Sequence, residues 1–313
     1  MAGAPVFLLM GPTASGKTEQ VLELATRFPI EVVSVDSSMV YRGLDIGTAK
    51  PTPAERARVP HHLIDILDPA EIYSVGRFVE DANQAIRAIQ ARGHLPFLVG
   101  GSFLYFRAWM AGLSPLPKSD PSVRVDIEMR GEEEGWPALH AELARIDPEA
   151  AARIHPHDRQ RVGRALEVYA VTGQPITRLW QARRVQSPMP CCRMVLAVTD
   201  RIALRNRIER RLSHMLEEGW IEEVQALMRR VDLSERLPAI RSVGYLPLWR
   251  HLASGTGWEE TRRAVVTETL QLAKRQMTWV RSMEADARWP VENAGWRQHL
   301  DELVGRWVRD NLC

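Results

Sequence analysis

A lysine set between glycine and threonine closes the run Gly11-Pro12-Thr13-Ala14-Ser15-Gly16-Lys17-Thr18, and residues of these types at this spacing can hold an oligophosphate. Gly11 and Gly16 let the backbone turn its N–H groups inward, Lys17 can reach phosphate oxygens, and the Thr18 hydroxyl is placed to ligate magnesium at a helix N-terminus. Such a loop needs a strand before it and a helix after it. The apolar run Val6-Phe7-Leu8-Leu9-Met10 and the helix-compatible Glu19–Arg27 supply both. Two further polar clusters, Asp36-Ser37-Ser38 and Gly100-Gly101-Ser102, follow apolar runs of their own and are candidates for the same site.

The elements that must position these groups alternate. Val6–Met10, Ile30–Val35, Leu63–Leu67 and Leu95–Val99 read as strands, with helical patterns after Lys17 and over Val75–Ala91. That order predicts an α/β fold, a phosphate-loop parallel sheet with crossover helices, and it puts the polar clusters at the carboxyl ends of strands, where open sheets bind ligands. Three prolines and a glycine in Gly112–Pro121 mark a linker, and the patterns from there to about Pro190 are helical, with a long arginine-rich stretch around Arg153–Arg164. A strand over Met194–Thr199 then resumes the sheet, and Asp200 is a candidate N-cap for a helix with Leu204, Ile208, Leu212, Met215 and Leu216 on its apolar face. Residues 258–283 and 296–311 also read as helices. The expected organisation is a core over 1–114, a helical insertion over 115–193, and the rest of the core over 194–313.

At 313 residues and 45% hydrophobic content the chain can bury a large core. Its net charge of +2 conceals an uneven distribution: residues 1–152 carry 14 basic and 20 acidic side chains, 153–184 carry 7 and 2, and 201–281 carry 15 and 10. The two basic stretches suit a polyanion, and equally suit solvated helix faces. All but four of the 41 basic residues are arginine, so Lys17, Lys50, Lys118 and Lys274 mark positions where a compact ammonium is wanted. Cys191, Cys192 and Cys313 have neither zinc spacing nor a disulfide framework, and no run of eighteen apolar residues occurs. A soluble, cytoplasmic protein, monomeric and free of the membrane, is expected.

The stretch from Val35 to Pro51, which includes Asp36-Ser37-Ser38-Met39 and Gly47-Thr48-Ala49-Lys50, resembles the signature of tRNA dimethylallyltransferases. The resemblance continues in order through Val59–Asp65, Val99–Tyr105, Gly112–Pro117, Ile154–Arg161, Ile240–Tyr245 and Leu272–Trp279, so it covers nearly the whole chain. It implies transfer of a dimethylallyl group from dimethylallyl diphosphate to N6 of the adenine at tRNA position 37, beside the anticodon. An exocyclic purine amine is a poor nucleophile, so a carboxylate that takes its proton as the C–N bond forms would help, and Asp36 looks like that general base. Read alone, Asp36 is equally a turn-forming residue. The departing diphosphate calls for fixed positive groups. Lys17 and the loop N–H groups supply these from one side. Arg211 is similar to a family arginine that meets the diphosphate from the other, though by itself it reads as a solvated helix residue. Ser102 stands where the family has threonine and keeps the orienting hydroxyl.

An adenine stacked in an anticodon loop must be extruded to react. The resemblance places tRNA contacts at Asp36, Ser37, Ser38, Met39, Ser102 and Arg124, at Gln160, Arg161, Val162, Gly163 and Arg164, and at Arg241, Ser242, Val243, Gly244, Tyr245 and Leu246. It adds Lys274, Arg275, Gln276, Met277, Thr278, Trp279, Val280 and Arg281. Tyr245 and Trp279 could stack on bases or pack in a core. Met39 and Leu270 depart from the family, which has glutamine or an aliphatic residue at the first position and arginine at the second; each departure removes one polar contact to RNA or phosphate. Two rivals share the phosphate loop: a small-molecule kinase, which would consume ATP, and a non-catalytic RNA-binding protein, which would leave Asp36 without a task. A GTPase would need an Asn-Lys-x-Asp segment, and the chain has none.

Overall fold

The structure, a computed structural model, describes residues 6–181, 189–293 and 295–312. Its contacts divide the chain into two units, Met1–Phe106 with Pro188–Cys313, and Arg107–Ser187. In the first unit β1 (Val6–Met10), α1 (Lys17–Leu24), β2 (Ile30–Val35), α2 (Pro53–Arg58), β3 (His61–His62), α3 (Val75–Ala91) and β4 (Leu95–Gly100) follow one another up to α4 (Phe103–Ala111), within which the division falls. The second unit holds α5 (Pro121–Glu133), α6 (Trp136–Ile146), α7 (Pro148–Arg153), α8 (Arg159–Thr172) and α9 (Ile176–Gln181). The first then resumes with β5 (Cys191–Ala197), α10 (Arg201–Glu217), α11 (Trp220–Met228), α12 (Tyr245–Ser254), α13 (Trp258–Ser282), β6 (Ala287–Pro290) and α14 (Trp296–Leu312).

Six strands pair in the order β3-β2-β4-β1-β5-β6, every pair parallel. β1, β2 and β4 are buried along their whole length, as near-continuous apolar strands are when helices cover both faces. On one face Phe7, Leu9 and Phe97 pack with Val21 and Leu24 of α1 and with Trp296, Leu300 and Val304 of α14. Caps set the helix starts: Ser74 accepts the N–H of Arg77 at α3, and Asp200 accepts those of Ile202 and Ala203 at α10. The buried face of α10 is Leu204, Ile208, Leu212 and Met215, with Leu216 half-buried at its edge.

Three local readings change. The expected strand over Leu63–Leu67 is absent: β3 ends at His62, because Leu63 and Asp65 adopt left-handed backbone at φ 63° and 58°, and only an isolated bridge joins Leu67 to Tyr41. β5 starts three residues before the expected Met194 and ends at Ala197, so Cys191, Cys192 and Arg193, expected in the insertion, pair with Val6, Phe7 and Leu8 of the sheet. β6 went unread because it is a four-residue edge strand whose Arg288 and Pro290 are exposed, which leaves too little apolar pattern to detect. In the second unit the arginine-rich stretch is two helices, since α7 ends at the extended Ile154, shortly before Pro156, and Asp158 caps α8 anew. These helices close over Trp136, Leu139, Leu143, Val162 and Leu166. Among the described residues no helix is long and apolar enough to cross a membrane.

Candidate active site

The phosphate loop leaves β1 at Gly11 and turns into α1 through two left-handed residues, Ala14 at φ 59° and Gly16 at φ 81°. Gly16 caps α1 with no side-chain hydrogen bond, so the first N–H groups of the helix face the cavity mouth. The Lys17 ammonium folds over the loop, donating to the carbonyls of Gly11 at 2.9 Å and Pro12 at 2.7 Å and to Ser15 Oγ at 3.2 Å. Ser15 is itself buried and tied to Pro12 O at 2.8 Å. The loop is therefore preshaped, with a cation at its centre.

Asp36 stands one residue past the end of β2. Its Oδ1 accepts the backbone N–H groups of Ser38 at 2.8 Å and Met39 at 3.2 Å, which fixes the carboxylate as it leaves the sheet. The turn reading holds, and the carboxylate that it orients also lines the cavity. The N–H of Ser102 donates to Val35 O at 3.2 Å, so the turn after β4 is pinned beside Asp36. The cavity holds about 1070 Å³. Lys17, Thr18, Asp36, Ser102 and Arg211 line its polar part, and Val32, Ile64, Tyr73, Val99 and Tyr105 give it an apolar wall.

Arg211 comes from the buried side of α10. Its Nη1 donates to Thr13 Oγ1 at 3.3 Å and its Nη2 to Thr48 O at 3.3 Å, so the solvated-helix reading fails and the guanidinium faces the phosphate loop. Burial pulls its pKa down from the usual arginine range, partly offset by the charge of Asp36. Lys17 is perturbed further: burial and then the repulsion of Arg211 lower its ammonium to about 7, against the opposing pull of Asp36. Two cations thus share a dry corner with one carboxylate, an arrangement that favours a bound anion.

The remaining sequence candidates separate by exposure. Ser37 is exposed and Ser38 and Met39 are half-buried at the cavity. On α13, Lys274, Arg275, Thr278 and Arg281 are exposed, and Met277 and Trp279 are half-buried. Arg241, Ser242 and Val243 line the cavity, and Leu246 is half-buried. In the second unit Arg124, Gln160 and Arg161 are exposed, with Arg124 paired to Glu128 and Arg161 to Asp158. Others turn inward. Val162 and Val280 are core residues, Gly163 lies against Trp136, and Arg164 braces Pro117 O and Glu167. Tyr245 is 1% exposed and gives its hydroxyl to Glu223 at 2.6 Å, so it packs rather than stacks on a base; Gly244 beside it is also buried. Gln276 is buried as well, hydrogen-bonded to Thr13 and Gly101.

Thr18 at the first turn of α1 could donate one oxygen to a metal, and among the described residues no cluster of three His, Cys, Asp or Glu side chains offers more. One hydroxyl beside a phosphate site fits magnesium, which takes most of its shell from phosphate and water.

The IPP transferase family model matches residues 39–283, and an isopentenyl transferase model matches residues 4–65. The chain belongs to the IPP transferase family. Among relatives in this family, the tRNA dimethylallyltransferase of Methylococcus capsulatus is 54% identical over 286 residues, 91% of each chain, and that of Alkalilimnicola ehrlichii is 51% identical over 304 residues, 97% of this chain and 96% of the relative. A crystal structure of the full-length tRNA isopentenylpyrophosphate transferase from Bacillus halodurans superposes with a TM-score of 0.70 at 36% identity, covering 98% of this chain and 97% of the other. A eukaryotic dimethylallyltransferase acting on tRNA shares the fold, with a TM-score of 0.77 at 24% identity over 97% of this chain and 79% of its own.

Of two further supports in this IPP transferase site, only one left a mark in the sequence. Glu223 at the start of α11 accepts the backbone N–H groups of Asp45 at 2.7 Å, Ile46 at 2.8 Å and Gly47 at 3.2 Å, holding the loop whose Thr48 carbonyl receives Arg211. No local pattern links a glutamate to a loop 176 to 178 residues away. Lys50, buried in the same loop, did carry a signal, its survival as lysine in an arginine-rich chain.

Proposed function

We propose that this chain transfers the dimethylallyl group of dimethylallyl diphosphate to N6 of adenine 37 in tRNA, with diphosphate as the second product. The observation that carries the reading is the convergence of Lys17, Arg211 and Asp36 on one cavity, two cations where a leaving diphosphate gathers charge and a carboxylate where an amine loses a proton. The apolar wall suits the five-carbon tail and keeps water from the allylic carbon. As the C1–O bond breaks and the C1–N6 bond forms, Lys17, Arg211 and the loop N–H groups hold the diphosphate oxygens, and Asp36 takes the N6 proton. Ser102 orients the amine side. Magnesium bound by Thr18 and diphosphate oxygens would neutralise part of the leaving-group charge. No side chain in the cavity needs to act as a covalent nucleophile, which favours direct displacement with substantial carbocation character. The exposed basic residues of α13 and the second unit supply the electrostatic footprint for RNA.

The test is transfer of labelled dimethylallyl from its diphosphate to an unmodified anticodon stem-loop with magnesium, with and without ATP. Label on adenine without ATP supports the reading, and ATP consumption without label would replace it with a kinase. Asp36→Ala should lower turnover about a thousandfold while stem-loop affinity stays within about threefold. Full activity in that variant would remove Asp36 from the mechanism.

A further inference from the structure

α13 presents Lys274, Arg275, Thr278 and Arg281 outward, but the side chain of Gln276 between them turns into the site and the residue is 8% exposed. Its Oε1 accepts the N–H of Thr13 at 2.9 Å and its Nε2 donates to the carbonyl of Gly101 at 3.0 Å. One amide therefore joins the phosphate loop to the turn after β4, across 263 residues on one side and 175 on the other. Each partner reaches a group assigned to the chemistry. Thr13 Oγ1 accepts Arg211 Nη1, and Gly101 precedes Ser102, whose N–H is bonded to the carbonyl of Val35, the residue before Asp36.

The fit is close. A Cβ built on Gly101 would lie 2.3 Å from Gln276 Nε2, so this glycine leaves the space in which the amide reaches its carbonyl. The two bonds need an acceptor and a donor on one planar group, which among side chains of this length glutamine supplies in neutral form. A glutamate would set a carboxylate oxygen against the Gly101 carbonyl, and a lysine would set an ammonium against the Thr13 N–H.

We propose that Gln276 is a positioning residue rather than an RNA contact: it sets the separation between the diphosphate end of the site, at Thr13 and Arg211, and the amine end, at Ser102 and Asp36. The inference rests on the transferase reading for what lies at those two ends. An in-line displacement depends on that separation, and a misplacement of about an ångström is worth about a hundredfold in rate. The clamp therefore acts on kcat through geometry and leaves the outward face of α13 unchanged.

Gln276→Met keeps the side chain's length and removes both hydrogen bonds, and Gly101→Ala pushes the same amide away from the other side. In the full chain, each should lower kcat about thirty- to a hundredfold while KM for the stem-loop stays within about threefold. The double variant should be no slower than the worse single one, because both break one clamp. Effects that multiply, an unchanged kcat, or a stem-loop KM raised more than about tenfold at unchanged kcat would each overturn the proposal, the last by making Gln276 an RNA contact. If Gln276→Met does not fold, as judged by its melting curve, Gly101→Ala decides alone. If the parent protein transfers nothing to RNA, the transferase reading falls. The clamp is then decided by pyrophosphate affinity, which Gln276→Met should weaken about fivefold by letting the Thr13 backbone shift from its place in the loop and which would stay unchanged without a clamp.

Discussion

Lys17 and Lys50 are both ammonium groups enclosed by oxygen atoms of their own chain, and the charges of those oxygens differ. Lys50, its side chain 1% exposed, donates to the carbonyl of Tyr41 at 2.8 Å, to Asp65 Oδ1 at 2.6 Å and to Asp45 Oδ1. Asp65 is held in turn by Arg56 at 2.6 Å; burial pushes its carboxyl up, but the hydrogen bonds from Lys50 and Arg56 win and hold it below the ordinary value. Lys17 has neutral carbonyls and a hydroxyl as its partners, and a second cation, Arg211, beside it. One lysine is electrostatically closed within the fold, and the other carries charge that the fold leaves undercompensated. In an arginine-rich chain a surviving lysine marks a place for three compact donors, but only the charge of its neighbours tells a brace from a binding site.

Replacing Lys17 should break activity and leave the fold standing. Lys17→Met should slow transfer by about a hundred- to a thousandfold, the cost of removing one preorganised donor to a developing oxyanion. Its melting temperature should equal or exceed the parent's near pH 7, because a desolvated cation next to another cation destabilises the folded state. Single-turnover transfer and a thermal melt on the same sample check both halves. A melting temperature well below the parent's would make Lys17 as structural as Lys50 and erase the contrast.

Lys50→Met should do the reverse at the level of stability. It leaves the Tyr41 carbonyl and two carboxylates short of a donor, a loss of about 2 kcal/mol or about thirtyfold in the folding equilibrium. Solvent screens part of this at Asp45, whose side chain is 56% exposed, and Arg56 still holds Asp65, so the figure lies below that of a fully buried pair. The loop from Asp45 to Lys50 also presents the Thr48 carbonyl to Arg211, so a secondary fall in kcat follows from a looser guanidinium. Denaturant unfolding gives the first effect, and a full loss of transfer at unchanged stability would place Lys50 in the chemistry instead.

What could be read from the sequence divides along the same line. The parallel sheet follows from apolar runs and crossover helices, apart from its short edge strands β3 and β6, and the phosphate loop, Asp36 and Ser102 fall beyond strand ends, where such a sheet binds ligands. Those are local signals. Arg211 required the resemblance, because nothing in an arginine-rich helix distinguishes the guanidinium that reaches the phosphate loop. Gln276 has the same sequence signature as its exposed neighbours on α13, since residues two positions apart on a helix point different ways and a short segment with mixed polarity hides which one is buried. Glu223 and the two carboxylates around Lys50 act across sequence distances or through left-handed backbone at Asp65, and neither leaves a pattern. Local chemistry was legible, and the groups that hold it in place were not.

The smallest expected effect is the one that tests the electrostatics most directly. Lys17 titrates at about 7 in the folded chain, against 10.5 for a free lysine side chain. A bound diphosphate raises that value again, so binding takes up a proton wherever the pH exceeds about 7. Pyrophosphate affinity should therefore be full below pH 7 and fall above it by up to about tenfold per pH unit relative to a variant whose cation does not titrate. Calorimetry from about pH 6 to about pH 9 on the parent and on Lys17→Arg, whose guanidinium stays protonated, isolates the effect, because the ionisation of pyrophosphate itself is common to both. The same shift fixes the sign for stability: between pH 7 and 10.5 the unfolded chain holds the Lys17 proton and the folded chain does not, so the folded state gains stability as pH rises through that window. Parallel pyrophosphate profiles for the two proteins would mean that Lys17 stays charged, with a compensating partner, and that the two lysines do not differ in kind.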